Sequence, residues 1–208
     1  MENTEFLTKK KIVLGLSSLI MILTLTSSGF GSGWFFHHDG PYRGKAVELE
    51  TGKPIAGAVV AARWVIEPFV HSERICDAKE TITNENGEFE LPKGSCWSHP
   101  FAEMHKPTVV VFKPGYLGYP PLGAEPEERK SRMPNFTGNE FRDEKQYYVI
   151  KLGKPKTRQE RSWTMSEGES LLDEETYEKL PILLKLVNEE NKNLGLGQIG
   201  TEKSGEKR

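Results

Sequence analysis

Ile75-Cys76-Asp77-Ala78-Lys79-Glu80-Thr81-Ile82-Thr83-Asn84-Glu85-Asn86-Gly87-Glu88-Phe89-Glu90-Leu91-Pro92-Lys93-Gly94-Ser95-Cys96 reads as a β-hairpin. One arm, residues 78–83, is rich in Thr and Ile. In the other, residues 88–91, Phe89 and Leu91 point one way and the two glutamates the other. Between them Asn86-Gly87 is a strong turn signal, because both residues tolerate positive φ. Cys76 and Cys96, the chain's two cysteines, flank this unit at nearly equal distance from its turn. In an oxidising compartment they read as one disulfide. Strict alternation puts the two cysteines on opposite faces. A one-residue bulge at Pro92-Lys93-Gly94 would bring them together.

Working outward, short strands continue in both directions. Residues 42–50 read as a strand, followed by the turn Thr51-Gly52-Lys53-Pro54. Residues 58–66 are the most hydrophobic strand. Ala58, Val60, Ala62, Trp64 and Ile66 share one face, Val59, Ala61, Arg63 and Val65 the other, and the small alanines leave room for a buried Trp64. Residues 108–112 form a β-branched run, and residues 147–152 a last strand. Several short strands without helical periodicity predict an all-β, antiparallel sandwich over residues 40–152.

The remaining composition narrows the class. A formal net charge of −2 over 208 residues gives no basic excess for nucleic acid. Lys9-Lys10-Lys11 precedes an apolar run at 12–25, the pattern of a secretory signal, with cleavage after Gly29 or Gly31. No charged residue lies between Lys11 and Asp39, and Trp34-Phe35-Phe36 suits a membrane interface, so residues 1–36 also read as an uncleaved transmembrane anchor. Either way residue 39 onward lies outside the cytoplasm, in a periplasmic or other extracytoplasmic space.

Four stretches carry a family resemblance. Gly44-Lys45-Ala46-Val47, then Thr51-Gly52-Lys53-Pro54-Ile55-Ala56-Gly57-Ala58-Val59-Val60, then Thr83-Asn84-Glu85-Asn86-Gly87-Glu88-Phe89, then Val110-Val111-Phe112-Lys113-Pro114-Gly115-Tyr116 resemble the carboxypeptidase regulatory-like domain. The resemblance implies a transthyretin-like, Greek-key sandwich of about seven strands. It also implies an accessory, non-catalytic module of exported proteins, with no cofactor and no catalytic residues to carry over. Transthyretin-like folds include a purine-pathway hydrolase, but its Tyr-Arg-Gly-Ser ending is absent, and Tyr42-Arg43-Gly44 sits at the wrong end of the domain.

Two connections depart from the family pattern, residues 96–106 and the polar insertion 117–145. Trp97, Tyr119, Phe136 and Phe141 within them, with Tyr116 just before the insertion, are the aromatic candidates for a ligand-binding loop. The competing reading has the insertion's aromatics pinning their loop to the sandwich. Asn135-Phe136-Thr137 matches a glycosylation acceptor. Cys76, Cys96, His99 and His105 offer an alternative zinc set, though the Cys-x2-His-x5-His spacing is uncommon and export favours the disulfide. His37 and His38 read as solvated linker residues.

Past residue 152 the pattern changes. Residues 153–165 read as a charged linker. Residues 166–190 read as helical, with Ser166 and Glu169 at capping-box spacing and a stripe of Leu172, Thr176, Leu180, Leu183 and Val187 that packs on the sandwich or on a second copy. Pro181 should kink or split that helix. Residues 191–208 read as a disordered tail. The G-x-G-x-x-G match at 195–200 follows no strand and is no dinucleotide fingerprint. The expectation is an exported, non-enzymatic binding or structural module whose partner is an envelope protein or polysaccharide. It would be membrane-attached if the N-terminal segment is kept. A carbohydrate-binding module and a metal-binding or catalytic protein are the alternatives.

Overall fold

A computed structural model describes residues 35–69, 72–120, 141 and 143–200. Most of residues 1–36, Asn135-Phe136-Thr137 and residues 201–208 lie outside the described residues. The described chain is mainly β. Its strands are β1 (Phe36–Asp39), β2 (Tyr42–Glu48), β3 (Val59–Glu67), β4 (Arg74–Ile82), β5 (Glu88–Leu91), β6 (Gly94–Trp97), β7 (Glu103–Met104), β8 (Thr108–Phe112) and β9 (Tyr147–Leu152). Two helices follow, α1 (Arg158–Glu169) and α2 (Pro181–Leu194).

β3 is the centre. It pairs antiparallel with β4 on one side and with β7 and β8 on the other. A second sheet has the order β5-β2-β9, and β1 pairs with β6. Within the second sheet β2 and β9 run parallel, which departs from an all-antiparallel sheet. The long connection between β8 and β9 permits this, since no tight turn dictates direction.

β3 reads as a continuous apolar run because both its faces are covered. Val60, Ala62, Trp64 and Ile66 enter one core with Tyr42, Phe89, Leu91, Ile150 and Leu152 from the second sheet. Val59 and Ala61 enter another with Val110, Phe112, Leu180, Leu183 and Val187. Trp64 is fully buried, as alternation predicts. A Cβ at Gly94 would stand 2.3 Å from its ring, so only glycine fits there.

The stretch 75–96 is built differently from a hairpin. Its turn forms, with the Asn84 N–H donating to the Glu88 carbonyl at 2.9 Å, and Gly87 holds φ +75° against the Ala46 carbonyl. Its arms do not pair with each other. β4 pairs with β3 and β5 with β2, so the turn is a corner that carries the chain from one sheet to the other. The Cys76–Cys96 disulfide is present, with Cα atoms 5.3 Å apart, and ties β4 to β6. The irregularity that aims it lies at Cys76 itself, not at residues 92–94. Trp64 pairs with Asp77 and Val65 with Ile75, which leaves Cys76 as the extra residue.

The C-terminal region also differs from its reading. Residues 153–165 are no simple linker, because α1 starts at Arg158. Thr157 Oγ1 accepts the Glu160 N–H at 3.1 Å, and the Glu160 carboxylate accepts the Lys156 N–H. Ser166 therefore lies inside a helix and not at its start. Pro181 starts α2 at a position where its missing N–H is harmless. The Glu80 carboxylate from β4 accepts the Ile182 and Leu183 N–H groups at 2.7 and 2.9 Å. Burial pushes the Glu80 carboxyl up, against the pull of those two backbone donors. Arg161 of α1 pairs with buried Glu190 of α2. Residues 195–200 are not a loose tail, since Gly195 caps α2 in the left-handed region and Ile199 exchanges hydrogen bonds with Asn188. The glycine-rich match thus ends a helix instead of cradling a phosphate.

Candidate functional site

The end of the molecule where β3 stops carries Phe101, Phe69 and Trp97, the three most exposed aromatic side chains among the described residues, while exposed Tyr147 lies on β9. β1 brings Phe35 and Phe36 there. Phe36 stands opposite Trp97 in the β1–β6 ladder, and the Ser98 N–H donates to the Phe35 carbonyl at 2.9 Å. β1 was unforeseen, and His37 and His38 are strand residues, not linker. The His37 ring meets the His99 carbonyl at 3.1 Å and the His38 ring meets Ser95 Oγ at 2.9 Å.

A buried carboxylate anchors β1 from below. Asp39 accepts the Trp64 Nε1–H at 3.0 Å, the Tyr42 hydroxyl and the Lys106 ammonium. Burial, then the hydrogen bond to Asp39, drives the Tyr42 hydroxyl far above its ordinary range, so it stays a donor. The network fixes the start of the described chain and the connection carrying Lys106 to one core tryptophan.

His99 joins the two loops of this end. Its Nε2 meets the Pro68 carbonyl and its Nδ1 accepts the Phe101 N–H at 3.2 Å. Its ring centroid lies 5.0 Å from that of Phe69 and 6.4 Å from that of Phe101. Arg74 donates to the Trp97 carbonyl at 2.8 Å. Between the loops runs an open groove of about 710 Å³ walled by Pro68, Phe69, Pro100 and Phe101, with Glu67 and Glu103 at its polar side. Trp97 is 64% exposed, Phe69 71% and Phe101 89%, so the rings are presented to solvent and not packed. Such a surface suits an apolar or aromatic group with a polar flank.

The expected loop aromatics do not gather there as a set. Trp97 does. Tyr116 and Tyr119 follow β8 near the opposite end of β3, where Val59 pairs with Phe112. Both are half-buried against the core. Tyr119 pairs with Val111, and burial pushes its hydroxyl up to about 12. Phe141 is fully buried, stacked 4.1 Å from Tyr148 and edge-on to Tyr42, so it is a core residue and no ligand platform. Phe136 lies outside the described residues. The alternative zinc set is overturned: Cys76 and Cys96 are joined, His99 is spent on Pro68 and Phe101, and His105 faces Glu67. Phe69 and Phe101 were missed because both follow turn-forming prolines, where no alternation shows which side is out.

No family model matches this chain, and no curated protein matches it. Among solved structures it shows a likeness to a 9R-lipoxygenase from Cyanothece PCC8801, at 9% identity and a TM-score of 0.25. The likeness covers 68% of this chain and 24% of the lipoxygenase, too slight to carry any argument about fold or activity.

Proposed function

We propose that the chain is an exported, non-catalytic binding module of the cell envelope, and that it meets a protein partner through its aromatic end. The frame would be a Greek-key β-sandwich of the carboxypeptidase regulatory-like kind, over residues 40–152. The observation that carries the reading is the grouping of Phe35, Phe36, Phe69, Trp97 and Phe101, all exposed, at one end. Soluble proteins seldom leave large apolar residues concentrated outside a contact surface. Aromatic residues are enriched where proteins meet.

Two further facts support parts of the reading. Both sheets feed one apolar core, as a sandwich requires. The disulfide agrees with an oxidising compartment, and residues 9–25 carry the charge and hydropathy of an export signal. Among the described residues no helix is long and apolar enough to cross a membrane. Phe35 opens the described chain at the aromatic end. An uncleaved segment 12–36 would therefore hold that end toward a bilayer, and cleavage after Gly29 or Gly31 would release it.

A protein partner is favoured over polysaccharide because the groove is walled by prolines and phenylalanines, and because Trp97 and half-buried Tyr119 lie toward opposite ends of β3. The test is retention of the full-length protein, in detergent, on immobilised envelope proteins and separately on envelope polysaccharide. We expect retention on the proteins, falling at least about tenfold in a Trp97→Ala/Phe101→Ala variant. Retention on polysaccharide alone would replace the protein partner with a sugar. Equal retention of variant and parent would remove the aromatic end from the reading. Export is tested by a reporter enzyme, active only outside the cytoplasm, fused after Arg208. An intact but silent fusion would overturn it.

A further inference from the structure

We propose that Glu67, Glu73 and His105 form a binding site for one zinc-like divalent cation at the root of the aromatic end. The proposal rests on geometry and does not depend on the partner reading above. One carboxylate oxygen from each glutamate and a ring nitrogen of His105 all lie within 4.8 Å of one another. Three atoms so spaced share a point no more than about 2.8 Å from each, and modest side-chain closure brings that to the roughly 2.0–2.2 Å of zinc–nitrogen and zinc–oxygen bonds.

The imidazole separates this group from a patch of surface carboxylates. His105 Nε2 is shielded from solvent and has no hydrogen-bond partner. It faces Glu67 Oε2 at 3.6 Å, too far for a hydrogen bond. That spacing is close to the separation of two ligands on one ion. A shielded ring nitrogen left without a partner is unfavourable, and a bound ion would satisfy it.

Position in the chain gives the site a consequence. Glu67 ends β3 and Glu73 immediately precedes β4, so both flank the connection that carries Phe69. His105 immediately follows β7, and Phe101 lies on the connection that leads into β7, four residues earlier; the His105 N–H donates to the Val65 carbonyl at 2.9 Å. An ion held by all three would tie the connection that carries Phe69 to the far end of β7, the short strand into which the Phe101 loop leads. The donor set also sets the metal. One imidazole with two carboxylates suits zinc and similar transition ions, whereas calcium and magnesium take oxygen ligands.

The test uses the full-length protein, stripped with a chelator and titrated separately with zinc, calcium and magnesium under equilibrium dialysis. We expect one zinc per chain, with calcium and magnesium at least about a hundredfold weaker. Glu73→Gln alters only an exposed side chain and should weaken zinc by at least about tenfold, and His105→Ala by more. His38→Ala should bind zinc as the parent does. The proposal is overturned by absence of stoichiometric zinc, by tighter calcium than zinc, by full binding in both Glu73→Gln and His105→Ala, or by loss of binding in His38→Ala.

Discussion

The two flanks of β3 handle apolar surface in opposite ways. Along its length, Val59 and Ala61 on one face and Val60, Ala62, Trp64 and Ile66 on the other are wholly buried, under helices or under the second sheet. Just beyond its end, Phe69 and Phe101 stand in solvent beside Trp97. The same chain that recruits α1, α2, a proline start and a glutamate cap to cover one sheet face leaves this end bare. The contrast agrees with stability resting on the covered flanks and with the proposed use of the bare end as a contact surface.

Substitutions separate the two. Trp64→Ala should have the largest effect, about 3–5 kcal/mol in a denaturant titration, since it empties the core and removes a donor from buried Asp39. A cost near zero would mean that the covered flank does not carry stability. Replacing both cysteines by serine should cost about 3 kcal/mol, read as a lower melting midpoint without reductant. The parent should fall to the same midpoint once reduced.

Arg161→Ala tests the helical cover. Glu190 is almost wholly buried, and its loss of Arg161 should cost about 2–4 kcal/mol, below the fully buried range because Arg161 is a third exposed. Burial raises the Glu190 carboxyl, but hydrogen bonds from Arg161, Asn193 and the Gly115 backbone, together with the Arg161 charge, jointly outweigh it and hold the group below the ordinary carboxylate range. A lowered folded-state value means the unfolded chain takes up protons first. The pair's contribution is therefore complete above the ordinary value of 4.5 and is lost as pH falls through the lower folded value. Stability against pH should drop less steeply on acidification in Arg161→Ala than in the parent.

How much of this was readable in the residues follows the same division. β2, β3, β8 and β9 were legible because one or both faces are buried, and burial writes alternation or a continuous apolar run. The burial of Trp64 followed from Ala58 and Ala62. α1 was not legible: its charges looked solvated, and their pairing with α2 is a tertiary fact. β1 was hidden inside the apolar N-terminal reading. The aromatic end was only glimpsed through Trp97. Phe141 and Phe101 both sit in irregular connections, one fully buried and the other 89% exposed, and no local pattern tells them apart. Glu67 and Glu73 likewise meet His105 only because β3 and the connection after β7 run side by side.

The smallest expected change in stability belongs to the most direct measurement, a Phe69→Ser/Phe101→Ser variant assayed for thermal midpoint and for binding to envelope proteins. Since both rings are exposed, the double change should shift stability by no more than about 0.5 kcal/mol per site while reducing binding at least about tenfold. A midpoint lowered as far as by loss of the disulfide, or binding equal to the parent's, would contradict the claim that this end is left bare for a partner.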